Sequence, residues 1–127
     1  MQQKLLFEYA VIRVVPRVER EEFLNVGVIL FCSSQKFLKT KYHLNQKRIA
    51  YFCDQVDINI LEEHLKIFDL ISRGDKDSGP IAKLPIAERF RWLTATRSTI
   101  IQTSKVHPGF CNDPEKTLDK LFDQLVL

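Results

Sequence analysis

No run of apolar residues in this chain approaches the ~20 that a membrane-spanning helix needs. The first residues, Met1-Gln2-Gln3-Lys4-Leu5-Leu6-Phe7-Glu8, form no signal-peptide core, because Glu8 interrupts the apolar stretch almost at once. Glycine and proline are scarce, four and five in 127 residues, which argues against disorder and low complexity. The three cysteines, Cys32, Cys53 and Cys111, have neither the C-x2-4-C spacing nor the histidine partners of a zinc site. Cys32 lies in an apolar run and reads as a small hydrophobe, so a reduced, cytoplasmic compartment is expected. A Gly-rich phosphate loop, H-E-x-x-H and G-x-S-x-G are all missing, as are the aromatic and glycine signatures of RNA-binding sheets. No cofactor and no metal are expected, and the residues leave catalysis open.

What is present describes an ordinary soluble domain. At 127 residues, 45% hydrophobic and 28% charged, the chain reads as a single domain over 1–127 with a real core. Nineteen Lys and Arg against sixteen Asp and Glu give a net charge of +3. The pI near 8.8 falls short of the value above ~9 expected of a dedicated nucleic-acid binder. The charge is unevenly placed. Lys36, Lys39, Lys41, Lys47 and Arg48 run without an intervening acid, and Arg89, Arg91, Arg97 and Lys105 are opposed only by Glu88. The segment from Asp54 to Asp77 is acidic. Solvated faces account for most such runs.

Hydrophobic periodicity gives the elements. Leu6 to Val15 alternates as a strand, with Phe7, Tyr9, Val11, Arg13 and Val15 on one face and Leu6, Glu8, Ala10, Ile12 and Val14 on the other. Phe23 to Cys32 returns as a second strand, and Lys36 to Tyr42 makes a third whose lysines suit a protected edge. The period then changes. Asn45 caps a short helix over Gln46 to Cys53, with Ile49, Phe52 and Cys53 inward. Asp57 caps a longer helix through Ser72, which Gly74 closes. A short helix begins near Pro85 and buries Ile86, Phe90 and Leu93. Thr99 to Ser104 reads as a late fourth strand, followed by a turn at His107-Pro108-Gly109. Asp113 and Pro114 start a last helix with Leu118, Leu121, Phe122 and Leu125 as its buried face. The expected fold is α+β, an antiparallel sheet of about four strands, three N-terminal and one late, with helices on one face.

Two constellations attract attention. Asn25 and Gly27 interrupt a buried strand where propensity disfavours both. A hairpin centred near Glu19 puts Arg13 directly opposite Asn25, with Tyr9, Val11, Gly27, Ile29 and Phe31 on the same face. Gly27 would leave a hollow beside them for a ligand or a neighbouring backbone. The packing alternative is that Asn25 ties down a loop and Gly27 receives an aromatic ring from a helix. The second constellation runs from Glu88 to Thr99, where Arg89 and Arg97 flank a Thr/Ser-rich corner suited to an anion, with Gln102 and Ser104 beyond. Its packing alternative pairs Arg89 with an acid such as Glu22 and uses Trp92 to fill the core. His107 is the one histidine placed to act as an acid or base; His64 sits on an exposed acidic helix face.

Three segments together carry a resemblance: Tyr9-Ala10-Val11-Ile12-Arg13-Val14-Val15-Pro16, Glu22 through Phe31, and Glu88-Arg89-Phe90-Arg91-Trp92-Leu93 with Arg97-Ser98-Thr99 and the run through His107, Asp113 and Pro114. In this order they resemble a bacterial family, domain of unknown function 3037. The resemblance implies no reaction. It matches Arg13, Glu22, Asn25, Gly27, Arg89, Arg97, Ser98, Thr99, Gln102 and His107, which make up the expected binding residues. Members resemble frequent genomic neighbours of kinase-like proteins similar to the toxin half of a toxin–antitoxin pair, so the resemblance implies a protein partner.

Three functions are compatible with these residues. The first is a small cytoplasmic accessory module that binds a protein partner, with an anion at the Arg/Asn/Ser cluster. The second is an enzyme on a phosphate or nucleotide, clamped by Arg13, Arg89 and Arg97 with His107 as acid or base. The third is nucleic-acid binding through Lys36 to Arg48, which requires steep salt dependence.

Overall fold

The structure, a computed structural model, describes residues 4–52, 56–95, 97 and 99–127. Its centre is β1 (Leu5–Val14), which pairs along one side with β2 (Leu24–Cys32), and β2 pairs outward with β3 (Phe37–Tyr42). The other side of β1 carries two short strands end to end. β4 (Ile101–Thr103) lies against its C-terminal half and β5 (His107–Cys111) against its N-terminal half. All pairings are antiparallel, and the five-stranded sheet runs β3-β2-β1-β4 with β5 also on β1. The fold is α+β as expected, with a fifth strand in place of the expected turn at His107.

That fifth strand exists because Gly109 and Pro108 do strand work here. Gly109 lies opposite Phe7, and a Cβ on it would meet Phe7 Cζ at 2.6 Å, so the missing side chain is what lets the Phe7 ring lie across the edge strand. Pro108 lacks an N–H but sits on an edge, where a ladder donor can be spared. The junction between β4 and β5 is closed by Ser104. Its N–H donates to Val11 O and its Oγ accepts from the Val11 N–H, both at 2.8 Å. A side-chain hydroxyl thus takes the role of a ladder carbonyl, and the buried Val11 N–H stays satisfied.

Helices cover both faces of the sheet. On one face α2 (Ile58–Arg73) and α3 (Ile86–Leu93) bury Leu61, Leu65, Phe68, Phe90 and Leu93 against Ala10, Ile12, Val14, Ile29 and Phe31. On the other, α4 (Pro114–Leu125) buries Leu118 and Phe122 against Phe7, Val28, Leu30, Cys32 and Cys111. The expectation of helices on one face is therefore corrected. Its physical cause is β2, which is apolar at every position from Val26 to Cys32 except Gly27 and so has two faces to cover.

The local signals for these helices hold. The Asp57 carboxylate accepts from the Asn59 N–H, and the Asp113 carboxylate accepts from the Glu115 and Lys116 N–H groups. Gly74 ends α2 with φ of 71°, the left-handed conformation that glycine adopts freely. Asn45 caps α1 (Gln46–Phe52) by accepting from the Arg48 N–H at 3.1 Å. Ile49 is buried in α1, whereas Phe52, expected inward, is exposed; Cys53 lies outside the described residues. Among the described residues no helix is long and apolar enough to cross a membrane.

Candidate functional site

A β-bulge decides which of the expected site residues meet. The pairing runs Ile12↔Gly27 and then Arg13↔Asn25, so Val26 is an extra residue in β2. Arg13 does stand opposite Asn25, as the hairpin arithmetic predicts. The extra residue also reverses the alternation of β2 beyond it. Val26 therefore joins Ile29 and Phe31 in the α2/α3 layer, and Asn25 turns to the α4 side. Gly27, Ile29 and Phe31 are not Asn25's companions after all. Gly27 leaves no hollow either, because a Cβ there would meet Lys41 O at 2.8 Å and Tyr42 Cβ at 2.9 Å. What it admits is the neighbouring strand β3, with Lys41 O and Tyr42 Cβ as the nearest atoms.

On the α4 side, Asn25, Arg13 and Gln102 form one row across β2, β1 and β4, since directly opposed residues share a face. His107 lies further along that face, opposite Tyr9, with ring centroids 5.3 Å apart. Asn25 Nδ2 donates to Leu125 O at the end of α4, so it ties down a helix terminus. The Arg13 guanidinium stacks 3.9 Å from the Phe23 ring centroid, and burial pushes its pKa down. Arg13 Nε and Asn25 Oδ1 are buried without protein partners among the described residues. Gln102 is turned back on the segment that leads into its strand, its Nε2 donating to Thr99 O.

The remaining expected residues fall elsewhere. Glu22 pairs with Arg20, an exposed ion pair, and not with Arg89. The Arg89 guanidinium packs against Gly74, where a Cβ would sit 3.2 Å from Arg89 Cζ, and it donates to Leu84 O. This places a cation at the C-terminal end of α2. Arg97 donates to Trp92 O and stacks on the Trp92 ring at 3.9 Å, with its pKa pushed down by burial. Thr99 Oγ1 donates to Ile101 O. Ser98 lies outside the described residues. The three arginines thus have three separate environments, and the groove that Arg97 lines includes neither Arg13 nor Arg89.

That groove lies between α2, α3 and β4. It holds about 220 Å³ and is lined by Ile67, Phe68, Trp92, Leu93, Arg97 and Ile101 among others. Its surface is mainly apolar, with His64 and the expected site residues Thr99 and Gln102 also lining it. Ile67 is 54% exposed and Trp92 39% exposed, so Trp92 does not fill the core. Ile60, one helical turn before the groove-lining His64, is 47% exposed on the same side of α2. Among the described residues that line it there is no Asp, Glu or Cys. Among the described residues no cluster of three or more His, Cys, Asp and Glu could hold a metal ion.

The Lys36–Arg48 patch is largely engaged by α4. Lys39 pairs with Glu115, and Lys41 pairs with Asp119 at 2.9 Å while lying over the Phe122 ring. Arg48 donates to Val126 O at 2.7 Å. Lys39, Lys41 and Arg48 thus help to hold the last helix.

The architecture is that of an α+β protein with an open five-stranded antiparallel sheet, helices on both faces and an apolar groove on one of them. The chain belongs to the family described as "Protein of unknown function (DUF3037)", which it matches over residues 9–126. Comparison with curated proteins found no match, and comparison with solved structures found none either.

Proposed function

We propose that this chain is a cytoplasmic protein-interaction module, a single domain that takes a partner into the groove between α2, α3 and β4. The observation that carries the reading is the exposed apolar rim of Ile67 and Trp92 with Arg97 stacked on the indole. Tryptophan and arginine are the side chains that most often dominate binding energy when a partner seals them from water. An exposed tryptophan in a monomer lowers solubility without helping the core, so a covering partner gives it a use. The kinase-like neighbours implied by the family resemblance supply the first proteins to test.

Purification at native expression level tests the reading. The wild-type chain should copurify with a stoichiometric protein partner, and Trp92→Ala and Ile67→Asp should lose it while keeping the wild-type melting temperature. Retention of the partner by both variants, or no partner at all, overturns it.

A further inference from the structure

The flanks of the groove differ in charge. Arg97 lines it on the α3/β4 side, while Glu63, exposed on α2 three residues after Ile60 and four before Ile67, is their neighbour on the helix surface outside the lining. Between them runs a row of Ile60, His64, Ile67 and the buried Ile71, three of the four apolar, spaced four, three and four residues apart. At 1.5 Å per residue it extends about 16 Å along α2. Steps of three and four residues put these side chains in one row, the geometry that receives side chains of a second helix.

Resting on the docking reading above, we infer that the occupant is an amphipathic helix of another protein, apolar at i, i+3 or i+4, and i+7, with an acidic flank over Arg97 and a basic flank over Glu63. An added strand fits less well. The adjacent edge strand β4 spans only Ile101–Thr103, and the Ile101 carbonyl already accepts from the Thr99 hydroxyl. A small anion fits less well too. Arg97 is the one arginine or lysine among the described residues that line the groove, and it is itself bonded to Trp92 O. A helix uses both the apolar floor and the opposed charges, which also fix its orientation.

The test places a photo-cross-linking amino acid at Ala95, an exposed lining residue, in the full chain expressed in its own host. The cross-linked segment is identified by mass spectrometry and made as a peptide. The expected result is a peptide that gains helical circular dichroism on binding. Arg97→Glu should weaken it at least about tenfold, and exchanging the peptide's facing acid for lysine should restore affinity. Glu63→Lys, an exposed change, gives the same reading from the opposite flank. A segment that binds in extended form, or affinity indifferent to both charge reversals, overturns the helix and leaves the docking reading standing. Absence of any cross-link from position 95 overturns both.

Discussion

At the scale of single residues, the two glycines that interrupt strands are explained by what occupies their space. Gly27→Ala drives a methyl against Lys41 O and Tyr42 Cβ, backbone-proximal atoms that cannot swing away. It should cost about 1–3 kcal/mol in urea denaturation. Gly109→Ala meets the ring of Phe7, a side chain that can be shortened. Its cost should therefore shrink in a Phe7→Leu background, and the two changes should be non-additive in a double-mutant cycle. Ser104→Ala leaves the buried Val11 N–H without a partner and should destabilise by about 1–3 kcal/mol. The Cys111 thiol carries a pH signature. Burial pushes its pKa up, with a hydrogen bond from Thr117 opposing and the nearby Cys32 and Asp113 adding. A thiol raised in the folded state adds full stability below its unfolded pKa of ~8.5 and loses it as pH rises through the folded value. The urea midpoint should fall as pH rises above about 8.5, and Cys111→Val should show a smaller fall.

At the scale of elements, α4 is held by burial first and by charge second. Leu118, fully buried, contributes roughly 1.5–3 kcal/mol, against about 0–1 for each exposed lysine pair. Lys39→Glu with Lys41→Glu should therefore destabilise modestly, less as salt rises, and Glu115→Lys with Asp119→Lys should recover part of the loss. Elements with local signals are legible in the sequence: the Asp57, Gly74 and Asp113-Pro114 punctuation marks α2 and α4, and alternation marks β1 and β3. The rest depends on tertiary context. His107-Pro108-Gly109 has turn composition, and its pairing along Leu5–Tyr9, with Gly109 making room for the ring of Phe7, makes it a strand. The bulge at Val26 has no local signature, so the Arg13–Asn25 pairing is legible while the face carrying Gly27 is not. The groove has a faint signal of its own. Ile60 and Ile67 are apolar yet fall outside the stripe of Leu61, Leu65 and Phe68, a surplus of hydrophobicity on a helix whose core face is already supplied.

At the scale of the whole molecule, the sheet separates residues that one family pattern joins in sequence. Arg13, Asn25 and His107 lie on the face that carries α4, where Asn25 secures the helix end, while Gln102, opposite Arg13, also lines the groove. Arg89 and Arg97 lie with α2 and α3, and of these two arginines Arg97 borders the groove, together with Thr99 and Gln102. A three-arginine phosphate clamp consequently has no common site, whereas an apolar groove with an exposed tryptophan does. Changes on the α4 face should alter stability and leave partner binding intact: Asn25→Ala should cost about 1 kcal/mol through the lost bond to Leu125 O, with unchanged copurification. The most direct test of the central claim is the affinity of the copurified partner for the wild-type chain and for Trp92→Ala, measured by titration calorimetry. Docking through the groove predicts a loss of at least about 2 kcal/mol, roughly thirtyfold, at an unchanged melting temperature. Equal affinities for the two proteins would contradict it.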